Sequence, residues 1–375
     1  MQVSLFEINR SNPNDPITCF FDAKHQKLPY KVSKMHPQIL TVHFCKAGDG
    51  MKRFLVTGGS GFIGSNFLHY FLNQHPDVFL INLDKLTYAG VRENTQDLEG
   101  NPRYEFIQGD ICDREIVNQL MSKVDVVIHF ASETHVDRSI HSSQDFILTN
   151  VVGTNVLLDA ARANKIKRFL HFSTDEVYGS RKSGSFTETD SLNPSSPYSA
   201  AKASSDLLAL AYWKTHQVPV TVIRSSNNFG PFQFPEKVIP LFISNLIEGK
   251  KIPLYAKGDN VRDWLYVGNC VQAIDFILNH GQIGEIYNVG GDCELSNIEL
   301  TRAILKELKK GEDSIQCVED RPAHDFRYSL DTSKLKRLGF KIKPEFPTHL
   351  KKTIEWYRQH ESWWKPLKKD AFTLK

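Results

Sequence analysis

The 375-residue sequence lacks any apolar run near the ~18 residues that a membrane span needs. It also lacks a basic stretch followed by an apolar core and a small-residue cleavage site, so neither an anchor nor a secretory leader is expected. Its six cysteines, Cys19, Cys45, Cys112, Cys270, Cys293 and Cys317, lie far apart with no C-x-x-C pair, which argues against a zinc site and against a disulfide framework. Reduced thiols and a cytoplasmic location are the expectation. Excess charge is missing too: the formal net charge is +3 and the basic residues are dispersed, apart from small clusters such as 365–369, so no nucleic-acid or membrane partner is expected. There is no internal repeat and no low-complexity tract.

What is present is an ordinary globular composition, 41% hydrophobic and 24% charged, on a chain long enough for one and a half to two domains with a cleft. Residues 1–50 carry no sustained period, whereas from Met51 apolar strands alternate with amphipathic helices. The leading segment is read either as an artefact of an early reading frame or as a real but dispensable extension. Strands are predicted at 53–56, 78–82, 104–107, 124–130, 169–172 and 220–223, with helices at 66–72, 147–163 and 198–215. This alternation predicts a Rossmann-type doubly wound parallel sheet over 51–227, with returning elements near 264–290. A smaller interleaved substrate-binding portion is expected over 228–364, and a basic tail over 365–375.

Between the first strand and helix stands Thr57-Gly58-Gly59-Ser60-Gly61-Phe62-Ile63-Gly64, with Gly58, Gly61 and Gly64 in Gly-x-x-Gly-x-x-Gly spacing. Glycines there let backbone and helix N-terminus approach a pyrophosphate. Asp84 closes the second strand twenty residues beyond Gly64, where a carboxylate accepts from ribose hydroxyls and repels a 2′-phosphate, favouring NAD. The alternatives are a tight structural turn and a helix-capping aspartate.

Tyr198 and Lys202 are four apart, on one helix face. A tyrosinate base near neutral pH requires a phenol pKa about three units below its usual ~10, which a neighbouring ammonium and a nicotinamide charge can supply. Taken alone, Tyr-x-x-x-Lys is more often a surface helix pair. More specific is Ser173-Thr174-Asp175-Glu176, after the strand at 169–172. Adjacent carboxylates in a regular strand face opposite ways, so both serve one substrate only if the strand ends near Thr174. Two close carboxylates divide into an acid and a base, as elimination of water requires; the plain alternative is an acidic loop.

From Met51 to about Trp364 the chain resembles the extended short-chain dehydrogenases/reductases, and within them the dTDP-glucose 4,6-dehydratases. The resemblance is carried by the glycine run, Leu83-Asp84-Lys85-Leu86-Thr87-Tyr88-Ala89-Gly90, Thr134-His135-Val136-Asp137-Arg138-Ser139 and Thr174-Asp175-Glu176. It continues through Ser226-Asn227-Asn228, Gln233-Phe234-Pro235-Glu236-Lys237, Arg262-Asp263-Trp264 and Arg321-Pro322-Ala323-His324-Asp325. Ser132 and Thr134 depart from the commoner Ala and Ser, and Phe229 and Phe232 stand where Tyr is usual.

The resemblance implies that Tyr198 takes the C4 hydroxyl proton and Thr174 bonds that oxygen, while Lys202 holds the cofactor ribose. Glu176 would remove the C5 proton and Asp175 protonate the departing C6 hydroxyl, with NAD tightly held and recycled. It also implies a cofactor set of Gly58, Gly61, Phe62, Ile63, Gly64, Asp84, Lys85, Leu86, Thr87, Asp110, Ile111, Phe130, Ala131, Ser132, Thr149, Tyr198, Lys202 and Asn227. A nucleotide-sugar substrate would meet Thr134, Asn150, Thr174, Asn228, Glu236, Lys237, Arg262, Asn288, Arg321 and His324. The helices around 146–158 and 204–212 carry apolar faces that the resemblance implies pair two subunits in a homodimer; core packing alone would explain them almost as well. A UDP-glucose dehydratase, a sugar-nucleotide 4-epimerase or decarboxylase, and a non-catalytic NAD sensor remain alternatives; the carboxylate pair favours a dehydratase.

Overall fold

Val78–Asp84 is buried along its whole length, which a strand achieves only with neighbours on both edges and helices on both faces. In the computed structural model, which describes residues 51–320 and 324–372, this segment is β2 of a seven-stranded parallel sheet. The expectations placed on residues 1–50, on Arg321 and on the last residues of the basic tail fall outside the described residues. The sheet comprises β1 (Lys52–Thr57), β2, β3 (Tyr104–Gln108), β4 (Val126–His129), β5 (Arg168–Thr174) and β6 (Val220–Ser225). After the short strands β7 (Asn227–Phe229), β8 (Ile252–Tyr255) and β9 (Val261–Tyr266), β10 (Ile286–Val289) returns to pair with β6.

The strand order is β10-β6-β5-β4-β1-β2-β3, a Rossmann-type doubly wound sheet whose order reverses between β1 and β4. Ligand crevices open at the carboxyl ends of strands at such a reversal. Helices α1 (Phe62–Gln74), α2 (Arg114–Met121), the short α3 (Val136–His141) and α4 (Gln144–Phe146), α5 (Thr154–Ala163), α6 (Pro197–His216), α7 (Val238–Ile247) and α8 (Val267–His280) follow in chain order. Alternation along the strands assigns the faces. Phe54, Val56 and Leu80 pack towards α1 and α8, and Leu55, Phe79 and Ile81 towards α2 and α5.

The remainder forms a second core. β9 pairs with β7 and with β11 (Glu294–Ser296), and β8 pairs with β12 (Ile315–Val318). Helices α9 (Asn297–Leu308), α10 (Ser333–Leu338), α11 (Phe346–Gln359) and α12 (Glu361–Phe372) complete the chain. Phe242, Trp264, Ile304, Leu350, Tyr357 and Trp364 are buried together there. Because α8 and β10 rejoin the main sheet between β9 and β11, the two cores are threaded through one another.

Two segments depart from expectation. The predicted continuous helix over 147–163 begins as a π-helical stretch at Ile147–Gly153 before α5. The expected basic tail begins as the second half of α12: Trp364 is buried, and Lys368 donates to Glu248 Oε2 at 2.7 Å. A lysine stem lying along apolar surface while its ammonium meets a carboxylate explains why these charges are not simply solvated.

One polar group inside the sheet layer ties three elements together. Asp206 of α6 is wholly buried; Arg224 Nε of β6 donates to its Oδ2 at 2.8 Å, and His171 Nε2 of β5 lies 3.2 Å from Oδ1. Burial works to raise the Asp206 carboxyl, but His171 and Arg224 outweigh it and hold the group below its usual range. Removing one member of a buried pair strands the other, at a cost of about 3–5 kcal/mol. Asp206→Ala is therefore expected to lower unfolding free energy by that amount in urea titrations; a loss under about 1 kcal/mol would show the node to be dispensable.

Candidate active site

A single cleft opens over the carboxyl ends of β1, β4, β5 and β6, and the glycine turn forms its floor. Gly58 has φ +72°, and a Cβ there would lie 2.5 Å from the Ala131 backbone nitrogen; a Cβ on Gly64 would lie 2.2 Å from the Gly58 carbonyl oxygen. These two glycines let β1, the loop after β4 and α1 close on one another. The α1 N-terminus at Gly61 has no side-chain cap, and the first turn carries no acidic residue, so its N–H groups and dipole remain available to an anion.

Asp84 is buried at the end of β2, its Oδ2 accepting from Ser60 N and its Oδ1 from Leu86 N, both at 2.8 Å. Burial raises this carboxyl, although both backbone bonds oppose the shift. One carboxylate thus fixes the glycine turn and the loop at Leu86, whose φ is +55°. Lys85 pairs with Asp110 at 2.8 Å across the same edge.

On the opposite wall, Ser196 caps α6 in a reciprocal capping box with Ser199, and Pro197 occupies the first turn. That cap sets Tyr198 in the first turn and Lys202 one turn later. Lys202 Nζ donates to the Phe172 carbonyl at 2.7 Å, and burial lowers its ammonium to about 8 despite Asp206. Tyr198 is buried edge-on to Phe146, with ring centroids 6.2 Å apart. Its phenol is pushed up, first by burial and then by Glu176, with Asp175 adding to the effect, while the Thr134 and Thr174 hydroxyls oppose the shift. The lowered phenol pKa expected from the Tyr-x-x-x-Lys spacing with a nicotinamide charge is therefore absent from the protein alone, because burial and the Glu176 and Asp175 carboxyls outweigh the two hydroxyls that oppose them.

β5 ends at Thr174, and Asp175–Tyr178 form a 3-10 turn. The turn breaks the strand alternation, so Thr174, Asp175 and Glu176 all reach the cleft that holds Tyr198 and Lys202. Thr174 Oγ1 donates to Asp175 Oδ1 at 3.2 Å and accepts from Glu176 N at 3.3 Å. Asp175 is buried, with no partner on Oδ2. Burial, then Glu176 and Asp263, raise its carboxyl well above the ordinary range, against Arg262 and Thr174. The resulting arrangement is a buried carboxyl whose protonated form is favoured, beside a second carboxyl and a tyrosine.

Gly58, Gly61, Phe62, Ile63, Gly64, Lys85, Thr87, Asp110, Ile111, Phe130, Ala131, Ser132, Thr149 and Asn227 all line this cleft, as do Thr134, Asn228, Glu236 and Lys237. Leu86 does not; its contribution is backbone. Asn150 lies behind the wall, where its amide accepts from Glu133 N at 2.9 Å and donates to Glu133 O at 3.1 Å. Arg262 donates to the Asp325 and Val261 carbonyls beneath Tyr328, and His324 pairs with Asp320 at 2.6 Å. Asn288 is placed away from the cleft lining: its side chain is fully buried, accepting from Tyr178 Oη and donating to the Phe186 and Asp331 carbonyls. Tyr88, Glu133, Ser225, Ser226, Gln233 and Phe234 also line the cleft and were not singled out from the sequence. Tyr88, Gln233 and Phe234 lie inside motif runs, and Glu133 follows a strand end, so position was their available signal.

Residues 55–353 match the family model described as GDP-mannose 4,6 dehydratase. The dTDP-glucose 4,6-dehydratase of Streptomyces niveus is 48% identical over 321 residues, covering 84% of this chain and 96% of that protein. The chain belongs to the dTDP-glucose 4,6-dehydratase family. Among solved dehydratases of the family, DesIV of Streptomyces venezuelae superposes with a TM-score of 0.82 at 47% identity, covering 84% of this chain and 99% of that one; it was solved with NAD and dTDP bound. The UDP-glucuronic acid 4-epimerase of Bacillus cereus shares the fold at 27% identity and a TM-score of 0.78, covering 82% and 99%.

The raised Tyr198 phenol has a direct consequence. Without NAD, the difference titration of wild type against Tyr198→Phe should show no phenolate below about pH 10, and adding NAD should move the onset towards neutrality. A phenolate signal near pH 7 in the NAD-free protein would contradict this environment.

Proposed function

We propose that the chain converts dTDP-glucose to dTDP-4-keto-6-deoxyglucose, as a hydro-lyase that uses NAD. The observation that carries this reading is the end of β5 at Thr174, which brings a buried acid and a second carboxyl to the cleft of Tyr198 and Lys202. A 4-epimerase acts at C4 alone and needs no such pair. The glycine cradle, the open α1 N-terminus and Asp84 fit a dinucleotide without a 2′-phosphate.

NAD supplies the redox chemistry, taking hydride from C4 and delivering it to C6. In this reading Tyr198 takes the proton from the C4 hydroxyl, Thr174 holds that oxygen, and Lys202 steadies the cofactor ribose and favours the phenolate. The C4 ketone acidifies the C5 hydrogen, which Glu176 removes. Asp175, whose protonated form burial favours, gives its proton to the C6 hydroxyl as the C6–O bond breaks and water leaves. Glu176 then returns its proton to C5 as C6 is reduced. The proton taken by Tyr198 balances the one given by Asp175, so turnover releases water and no net proton.

Thr134, Asn228, Glu236 and Lys237 are proposed to hold the sugar end, and Arg262 with Arg321 and His324 the diphosphate end, where guanidinium forks suit phosphate. Residues 51–227 with α8 and β10 form the proposed cofactor part, and the second core the substrate part. No helix among the described residues is long and apolar enough to cross a membrane. Cys112, Cys270, Cys293 and Cys317 are unpaired thiols, which supports the cytoplasm as the location. A homodimer is supported by the exposure of Ile147, Leu148 and Val152 on the π-helical stretch and Leu207 on α6.

With dTDP-glucose, a 4-keto product absorbing in alkali should form without net NADH; steady NADH accumulation would refute internal recycling. Glu176→Gln should retain C4 oxidation, seen as bound reduced nicotinamide, while dehydration falls by about 10²–10⁴. Unchanged turnover would remove Glu176 from its role. Leu207→Glu should lower the sedimenting mass to that of a monomer, and no change would place the dimer contact elsewhere.

A further inference from the structure

Three loops meet at the rim of the cleft opposite the carboxylate pair: the loop after β2, the loop into α3, and the loop into α7. Tyr88 of the first donates from its hydroxyl to the Thr134 carbonyl of the second and packs edge-on to Phe234 of the third, with ring centroids 5.5 Å apart. Arg138 of α3 packs over the face of Tyr88, its guanidinium carbon 3.8 Å from the ring centre. That stack fixes the guanidinium plane.

The fixed plane meets Glu236 in an unusual way. Arg138 Nε and Nη2 both approach the same oxygen, Oε2, at 3.1 Å each. The usual fork-to-fork pairing engages both carboxylate oxygens; here the second oxygen is left out. The Glu236 side chain is only 8% exposed and lines the cleft; Oε1 is buried and accepts no hydrogen bond, the Tyr88 hydroxyl that faces the carboxylate being given to the Thr134 carbonyl. A buried carboxylate oxygen in that state is costly unless a ligand donor reaches it. Lys237, the next residue, reaches towards Thr134 Oγ1 at 3.4 Å on the same rim.

We propose that Arg138, which does not itself line the cleft, is a positioning residue for sugar specificity: by gripping Oε2 alone it presents Oε1 of Glu236 to a hydroxyl of the hexose that takes no part in the reaction. This rests on the dehydratase reading above. The C4 and C6 hydroxyls are consumed at Tyr198 and Asp175, so the donor is the C2 or the C3 hydroxyl. A site built to accept from a hydroxyl rejects an analogue that cannot donate. Without the one-oxygen grip, the carboxylate rotates, the acceptor is lost, and discrimination falls with it. The Tyr88 stack extends the same control to the strand end that carries Asp84.

The test compares kcat/KM for dTDP-glucose with that for its 2-deoxy-2-fluoro and 3-deoxy-3-fluoro analogues, in wild type, Arg138→Gln and Arg138→Lys. Fluorine keeps the size near that of the hydroxyl but donates nothing, and dividing the variant ratio by the wild-type ratio cancels its inductive effect on the chemistry. In Arg138→Gln, discrimination against one of the two analogues should shrink about tenfold or more, with KM for dTDP-glucose rising more than kcat falls. Arg138→Lys, which keeps the charge but loses the fork, should fall between, and it decides the matter if Arg138→Gln does not fold with NAD bound. Unchanged discrimination in the folded variants, or an equal loss of kcat on all three substrates, would overturn the positioning role. Absence of wild-type turnover of dTDP-glucose would instead overturn the dehydratase reading itself.

Discussion

The geometry of the site depends on a carboxylate that never meets it. Asp206 lies one turn beyond Lys202 on α6, and through Arg224 and His171 it fastens that helix to β6 and β5. The catalytic wall is made from these elements: β5 ends in Thr174, and α6 carries Tyr198 and Lys202. Were α6 free to slide along the sheet, the tyrosine and the carboxylate turn would separate, since the apolar contacts beneath them are not directional. A buried ion pair adds little net stability compared with apolar packing, yet it specifies register. Here the register places an ammonium against the Phe172 carbonyl and a phenol against Thr174. His171 is itself pushed down by burial and stays neutral, so the node carries one positive and one negative charge.

On the cofactor side Asp84 plays a comparable part at the surface of the cleft. It binds the backbone of Ser60 and of Leu86, so the turn meant for a pyrophosphate and the loop leading to Tyr88 share one anchor. Tyr88 in turn carries Arg138, and Arg138 holds Glu236. The glycine-turn floor and the rim of the cleft are thereby connected through Tyr88, Arg138 and Glu236, side chains from three separate segments.

Much of this was legible in the sequence, and the reasons differ by residue. The parallel sheet followed from apolar strands, such as the one predicted at 78–82, alternating with amphipathic helices. The glycine turn and Asp84 could be read because their spacing follows from the size of a dinucleotide. Thr174, Asp175 and Glu176 stood out only beside the glycine turn and the Tyr198/Lys202 pair, since alone the run reads as an acidic loop. Residues whose work depends on tertiary packing were not legible. Asn288 is a plain asparagine at the end of an apolar strand, and nothing local says that Tyr178 and Phe186 will claim its amide. Asp206 reads as an exposed helical acid until Arg224 and His171 are brought to it. The Tyr198 phenol was expected to be acidified by Lys202, but the opposing burial and carboxylates are visible only once the cleft has closed around it.

The π-helical stretch at Ile147–Gly153 deserves its own accounting. It winds wider than the α5 helix that follows, and within seven residues it turns Ile147, Leu148 and Val152 outward, Thr149 to the cleft and Asn150 onto the Glu133 backbone. One backbone register therefore shapes both an apolar outer face and an inner wall of the cleft. Insertion or deletion within this segment would rotate both surfaces at once, so a change in the apolar outer face is mechanically tied to a change in what lines the cleft.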